Sequence, residues 1–157
     1  MASTRTIETI DELKELIGQE LGGGASFEIT QERVDAFADV TGDHQWIHVD
    51  PARAAATPFG GTIAHGFLTL SMMSLLRQGW EGYKIDLHPK MGINYGLNRV
   101  RFISPVRVGK RVRLRTKLLS VDDVAPDAYQ MTYQQTVEIE GEERPAMVAE
   151  TITRLYL

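Results

Sequence analysis

Asp43 and His48 stand five residues apart in the stretch TGDHQWIHVDP, which runs from Thr41 to Pro51 and holds two of the chain's four histidines. A carboxylate and an imidazole can share one water and pass protons to and from it near neutral pH, which is general acid/base chemistry. The spacing sets a condition on the backbone. In a regular helix the two side chains would lie about 140° apart around the axis, and in a strand they would point to opposite faces. Only an irregular loop brings them together, and the flanks predict one: Gly42 suits a helix end just before Asp43, and Asp50 followed by Pro51 suits a new helix start just after His48. An aspartate at a helix C-terminus is opposed by the negative end of the dipole by about 0.3 to 1 kcal/mol, so stability disfavours Asp43 there. The competing reading makes Asp43 a solvated turn residue and His48 a half-buried, hydrogen-bonded one.

His44 and His48 also sit four apart, the spacing of two zinc ligands on one helix face. The glutamate that would act as base in such a motif is Gln45 here, and the flanks predict a loop rather than a helix. A zinc site would need Asp43 or His65 as third ligand; the expected reading has no metal, with His44 on the surface and Trp46 and Ile47 packing inward. A second feature is TIAHGF, residues 62–67, where His65 and Gly66 open an apolar helix. The first amides of a helix lack internal partners and carry partial positive charge, and glycine allows close approach, so Gly66 is a candidate oxyanion donor. Tight packing would explain the same glycine. Ser71 and Ser74 lie on that helix and can either bond back to it or face a ligand.

The elements around these residues follow from pattern. TIETIDELKELIG places Ile7, Ile10, Leu13 and Leu16 or Ile17 at helical spacing, with a capping box at Thr9 and Glu12. A brief strand is expected in LGGGASFEIT, then a helix capped by Thr30 over QERVDAFADV, ending near Thr41 and Gly42. IAHGFLTLSMMSLLRQGW is apolar almost all round and predicts a central helix buried on most faces. From Lys90 onward the period becomes two. Val112, Leu114, Thr116 and Leu118 alternate with Arg111, Arg113, Arg115 and Lys117; AYQMTYQQTVEIEG, RPAMVAETITRLYL and MGINYGLNRVRF add three further strands. The expectation is an α+β domain over residues 1–157: one antiparallel sheet, four consecutive strands joined by short turns, wrapped on the central helix.

The 157 residues, 43% hydrophobic, can bury about 70% of the unfolded surface without staples. The absence of cysteine excludes disulfides, thiolate metal sites and cysteine nucleophiles. The start MASTRTIETIDELKEL lacks a secretory h-region and a transit-peptide composition, and no run is long enough to span a bilayer, so a cytoplasmic protein with no membrane role is expected. A net charge of −4 argues against nucleic acid as main partner.

Taken in order, FADVTGDHQWIH, DPARAAA and GGTIAHGF resemble the signature of the MaoC-type hydratases, (R)-specific enoyl-thioester hydratases of the hot dog fold, and INYGLNRVRFISPVRVG is similar to the nodulation-protein N-like branch. The resemblance runs from about Gln31 to the C-terminus. It places Asp43 and His48 on the family's catalytic pair and Gly66 on the glycine whose N–H holds the thioester oxygen; Gln45 and Trp46 stand where the family has Asn and Pro. It implies hydration of trans-2-enoyl-CoA or a carrier-bound thioester to the (R)-3-hydroxyacyl thioester, and the reverse, with no metal or redox cofactor. It also implies a homodimer with the ligand at the interface. Ile63, His65, Phe67 and Ser74 are then candidate substrate contacts, the acyl chain lying between Phe67, Leu70, Met73 and the sheet. Arg99, Arg101 and Lys90 are candidates for the nucleotide end, against an ordinary solvated face. Two other readings remain open: a hot dog acyl-CoA thioesterase, in which water attacks the carbonyl carbon, and a non-catalytic acyl-thioester-binding module.

Overall fold

The computed structural model describes residues 5–157; residues 1–4, the beginning of the stretch MASTRTIETIDELKEL, lie outside the described residues. In chain order the elements are β1 (Thr6–Ile7), α1 (Ile10–Lys14), β2 (Glu20–Gly23), β3 (Phe27–Glu28), α2 (Gln31–Thr41), α3 (Trp46–Val49), α4 (Pro51–Ala54), α5 (Gly66–Ser71), a 3₁₀ segment (Met72–Arg77), β4 (Glu81–Gly82), β5 (Lys84–Ile85), β6 (Met91–Phe102), β7 (Arg111–Ala125), β8 (Ala128–Ile139) and β9 (Met147–Tyr156). A seven-stranded antiparallel sheet has the order β4-β2-β7-β8-β9-β6, with β3 beside β7; β1 and β5 form a separate parallel pair.

The period-two segments become β7, β8 and β9 with the expected faces. In β7, Val112, Leu114, Thr116 and Leu118 are buried, while the intervening arginines reach ion pairs with Glu138, Glu140 and Glu20 on the outer face. The expected meander is corrected at one join. β6 pairs with β9 rather than with its successor β7, so the connection 103–110 crosses from one edge of the four long strands to the other. It does so because its backbone bonds elsewhere: Ala64 N donates to Val106 O and Val108 N donates to Thr62 O, at 2.8 and 2.9 Å. That pairing holds residues 62–64 under the candidate loop.

The central helix is also corrected. Only Gly66–Ser71 is α-helical, and the chain then tightens into a 3₁₀ turn, whose longer rise carries it further along the sheet per residue. Ser71 Oγ donates to Phe67 O at 2.7 Å, the back-bonding expected of a serine on such a helix. Nor is the helix buried on most faces. Leu68, Met72 and Leu76 pack on Val112, Leu114, Val137, Met147 and Ala149, whereas Phe67 is 67% exposed. Complete burial of a leucine such as Leu76 contributes about 1.5 to 3 kcal/mol.

The first helix is shorter than its apolar spacing predicts. Ile7 joins β1, the Thr9–Glu12 capping box forms as expected, and the helix ends at Lys14. Its Ile10 and Leu13, with Ile7 and Leu16, instead build a second apolar cluster against Leu118, Val121 and Met131. Among the described residues no helix is long and apolar enough to cross a membrane.

Candidate active site

α2 begins where Thr30 Oγ1 accepts from Arg33 N, and it ends at Gly42, whose φ of 78° is the left-handed conformation that glycine adopts without cost. The chain therefore turns sharply before Asp43. Asp50 accepts from Arg53 N at 3.0 Å and starts α4 with Pro51 at its first position, as expected. Between them the predicted loop contains one helical turn, α3, and His48 lies on it. His48 is the buried residue of that turn. Trp46 and Ile47, expected to anchor the loop inward, are only half-buried, and the Trp46 ring is covered by the Arg53 guanidinium at 4.1 Å.

His48 is held from three sides. Its Nδ1 bonds to Ile63 O at 2.7 Å, which requires the proton on Nδ1 and leaves Nε2 with its lone pair. The ring stacks on His65, centroids 3.8 Å apart and planes 25° from parallel. Its main-chain oxygen accepts from Gln31 Nε2 at 2.7 Å, and Gln31 Oε1 in turn accepts from Thr62 Oγ1. Ile63 thus serves through its carbonyl. Gln31 escaped the sequence reading, since nothing in the spacing of a helix-opening glutamine signals that it will reach a residue 17 positions on.

Asp43 is exposed, while His48 and His65 are buried, and one ligand atom from each of the three lies within 4.8 Å of the others. Within that limit one water can bridge a carboxylate oxygen and an imidazole nitrogen. His65 Nε2 donates to the main-chain oxygen of Asp43 at 2.9 Å, fixing the turn, while its Nδ1 is buried without a partner. By proximity the three groups could also hold a metal ion, with the two imidazoles stacked beside each other. His44 stands apart, bonded to Asp39 at 2.8 Å on the surface, and that carboxylate raises its pKa.

Burial pushes the His48 pKa below its ordinary value; the Ile63 carbonyl opposes this, the neighbouring His65 adds to it and the Asp43 charge works against it. The imidazole is accordingly neutral at pH 7 and able to accept a proton. Its depressed value means that the unfolded chain binds a proton more readily, so stability is complete above about pH 6.5 and falls as the pH drops below it. The same group should appear in the kinetics of any reaction in which His48 accepts a proton: kcat/KM is expected to hold through neutral pH and to fall with a one-proton slope at a midpoint below about 6.5. A midpoint above 7 would assign the titration to another group.

Gly66 is the first residue of α5, with His65 as N-cap, and its N–H donates to no other described residue. Packing also demands glycine there: a Cβ would stand 2.7 Å from Phe102 Cδ2. A cavity of about 310 Å³ opens between His48, Phe59, Gly66, Thr69 and Phe102. Ile63, another proposed contact, lines the same cavity, while Phe67 and Ser74 are not part of its wall. Phe67 meets Phe102 edge-on at 5.8 Å, and Ser74 lines a separate cleft further along the helix.

Placed side by side with known proteins, this arrangement has clear relatives. The family model described as MaoC like domain matches residues 12–139. The chain belongs to the MaoC-like family. It is 51% identical over 150 residues to 3-hydroxyacyl-thioester dehydratase Z of Mycobacterium tuberculosis, covering 96% of this chain and 97% of that one. It is equally 51% identical over 138 residues to nodulation protein N of Rhizobium leguminosarum bv. viciae, covering 87% and 84%. Among solved structures, the (R)-hydratase from A. caviae involved in PHA biosynthesis superposes with a TM-score of 0.68 at 29% identity, over 87% of this chain and 94% of that one. The MaoC-like fold is the hot dog architecture, α+β, that the strand pattern and motifs implied.

Proposed function

We propose that this MaoC-like protein is a hydro-lyase that adds water across a trans-2-enoyl thioester to give the (R)-3-hydroxyacyl thioester, and removes it in reverse. The relatives named as a thioester dehydratase and an (R)-hydratase support the reaction class. The observation that carries the site is the placing of the Asp43 carboxylate and the neutral His48 imidazole within 4.8 Å of each other, a span that one water can bridge. A water there donates one hydrogen to Asp43 and the other to His48 Nε2, which leaves its oxygen lone pairs free to attack C3. The proton it sheds is taken up by the pair and returned to C2 on the same face, so that OH and H add together. As C3 is attacked, charge moves onto the thioester oxygen, and the Gly66 N–H receives it; one such donor typically contributes about 3 to 4 kcal/mol to the transition state. No metal or redox cofactor enters this balance.

The reading includes a homodimer in the cytoplasm. β6 forms one edge of the sheet, and Ile93, Tyr95, Leu97 and Phe102 on it are exposed together with Phe67 of α5. An open edge strand carrying that much apolar surface is suited to pairing with its own copy across a two-fold axis.

The test is spectroscopic. Purified protein with crotonyl-CoA is expected to bleach the conjugated enoyl absorbance without releasing thiol, and excess chelator is expected to leave the rate unchanged. Bleaching with stoichiometric thiol would instead make it a thioesterase, and no change at all would make it a binding module.

A further inference from the structure

The inner face of the sheet is largely apolar, and a polar band crosses its buried part. Thr116 of β7, Gln135 of β8 and Thr151 of β9 are all buried there, where Leu114, Val137 and Ala149 are their neighbours. Thr116 Oγ1 donates to Gln135 Oε1 at 2.6 Å, and Gln135 Nε2 donates a long bond of 3.4 Å to Thr151 Oγ1. A primary amide has two N–H donors and two acceptor lone pairs, so half of its capacity is unused. Gln135 is nevertheless not sealed in the core. It forms part of the wall of a cavity of about 340 Å³ between the helix and the sheet, with Leu70, Met73, Ser74, Asn94 and Thr151. Ser74 and Asn94 make that wall continuous with a second space of about 630 Å³.

The position of this cavity along the helix gives it a role. Leu70 and Ser74 lie four and eight residues beyond Gly66, about 6 Å and about 13 Å further on by helical rise. A thioester held at Gly66 with its acyl chain running along the helix would place the far part of that chain, not its reacting end, beside Gln135. A plain hydrocarbon there would cover the spare N–H and lone pair without satisfying them. A carboxylate would be stripped of water with no buried cation to meet it, since among the described residues no lysine or arginine is buried and Arg77, which also lines this cavity, is exposed. A neutral oxygen fits both limits.

We propose that the Gln135 cavity is a specificity pocket for acyl chains bearing a hydroxyl or ketone oxygen near their far end, which the Gln135 amide holds with the help of Ser74 and Thr151. This rests on the thioester reading above. It refines the expected acyl path between Phe67, Leu70, Met73 and the sheet into a cleft that is apolar at Leu70 and Met73 and polar at Gln135 and Thr151.

The experiment compares trans-2-decenoyl-CoA with its ω−1 ketone and terminal-hydroxyl derivatives, in wild type and in Gln135→Met, which keeps length and removes both hydrogen-bonding functions. Wild type is expected to favour the oxygenated chains about tenfold in kcat/KM, one hydrogen bond's worth, and Q135M to erase that preference. Thr151→Val, a milder change, is expected to reduce the preference about threefold and keeps the test open if the methionine variant does not fold. Equal rates on plain and oxygenated chains in wild type, or an undiminished preference in Q135M, overturn the proposal. Calorimetry with the saturated, unreactive thioesters of the same chains separates the two readings. If crotonyl-CoA is not hydrated, the hydratase assignment falls, while a calorimetric preference that Q135M removes still upholds the pocket and equal affinities still reject it.

Discussion

Substitution of His48 by glutamine is expected to lower the turnover of crotonyl-CoA by at least about 100-fold while leaving the far-ultraviolet circular dichroism unchanged. The glutamine amide can still donate to the Ile63 carbonyl, which now takes the bond from His48 Nδ1, so the turn keeps its tie. What disappears is Nε2 as a proton acceptor, because an amide oxygen is far too weak a base at neutral pH. The stack on His65 is lost as well, and an aromatic pair of this kind contributes about 0.5 to 1.5 kcal/mol, so a modest fall in Tm should accompany the kinetic loss. That combination separates the roles. A large stability loss with turnover per folded molecule near wild type would make His48 a structural residue, and the competing reading of a solvated Asp43 and a merely hydrogen-bonded His48 would stand.

How much of this arrangement the sequence disclosed depends on the range of the signal. Local signals were dependable: Thr30, Gly42 and Asp50-Pro51 bracket the loop where they were expected, because capping and left-handed turns are decided by a few adjacent residues. The alternation in β7 and β8 was equally readable, since a half-buried strand repeats its preference every second residue. Even Gln135 was marked in this way: it shares the inward parity of Tyr133 and Val137, and its polarity there was the departure to notice. Non-local pairing was not readable. The crossing of 103–110 and its bonds to 62–64 depend on segments about 40 residues apart, and no periodicity in either one records the other. The Ile63 carbonyl was hidden for a further reason. Every residue has a carbonyl, so the atom that orients His48 carries no side-chain signature, and the residue type at 63 reports only that the position is buried.

The assignment of Asp43 came through a resemblance and a loop argument, and a single substitution puts it to proof. Asp43→Asn is expected to reduce kcat by about 100- to 10,000-fold with little change in Tm. The reasoning turns on what the variant preserves. The bond that fixes this corner runs from His65 Nε2 to the main-chain oxygen of residue 43, which no side-chain change removes. Asparagine can also keep the weak contact at 3.3 Å from Gln45 N, since its amide oxygen accepts as the carboxylate did. The side chain is exposed, so no buried charge is left unpaired and packing contributes little. The difference is therefore confined to one negative charge and one strong acceptor facing the water. With an amide in its place, that water loses the partner that aligns its second hydrogen, and its oxygen is no longer made more nucleophilic as C3 is approached. KM for crotonyl-CoA should change less than kcat, because the carboxylate acts on the water and not on the acyl chain. A D43N protein that hydrates crotonyl-CoA within about threefold of wild type would remove the carboxylate from the chemistry and leave His48 to act alone.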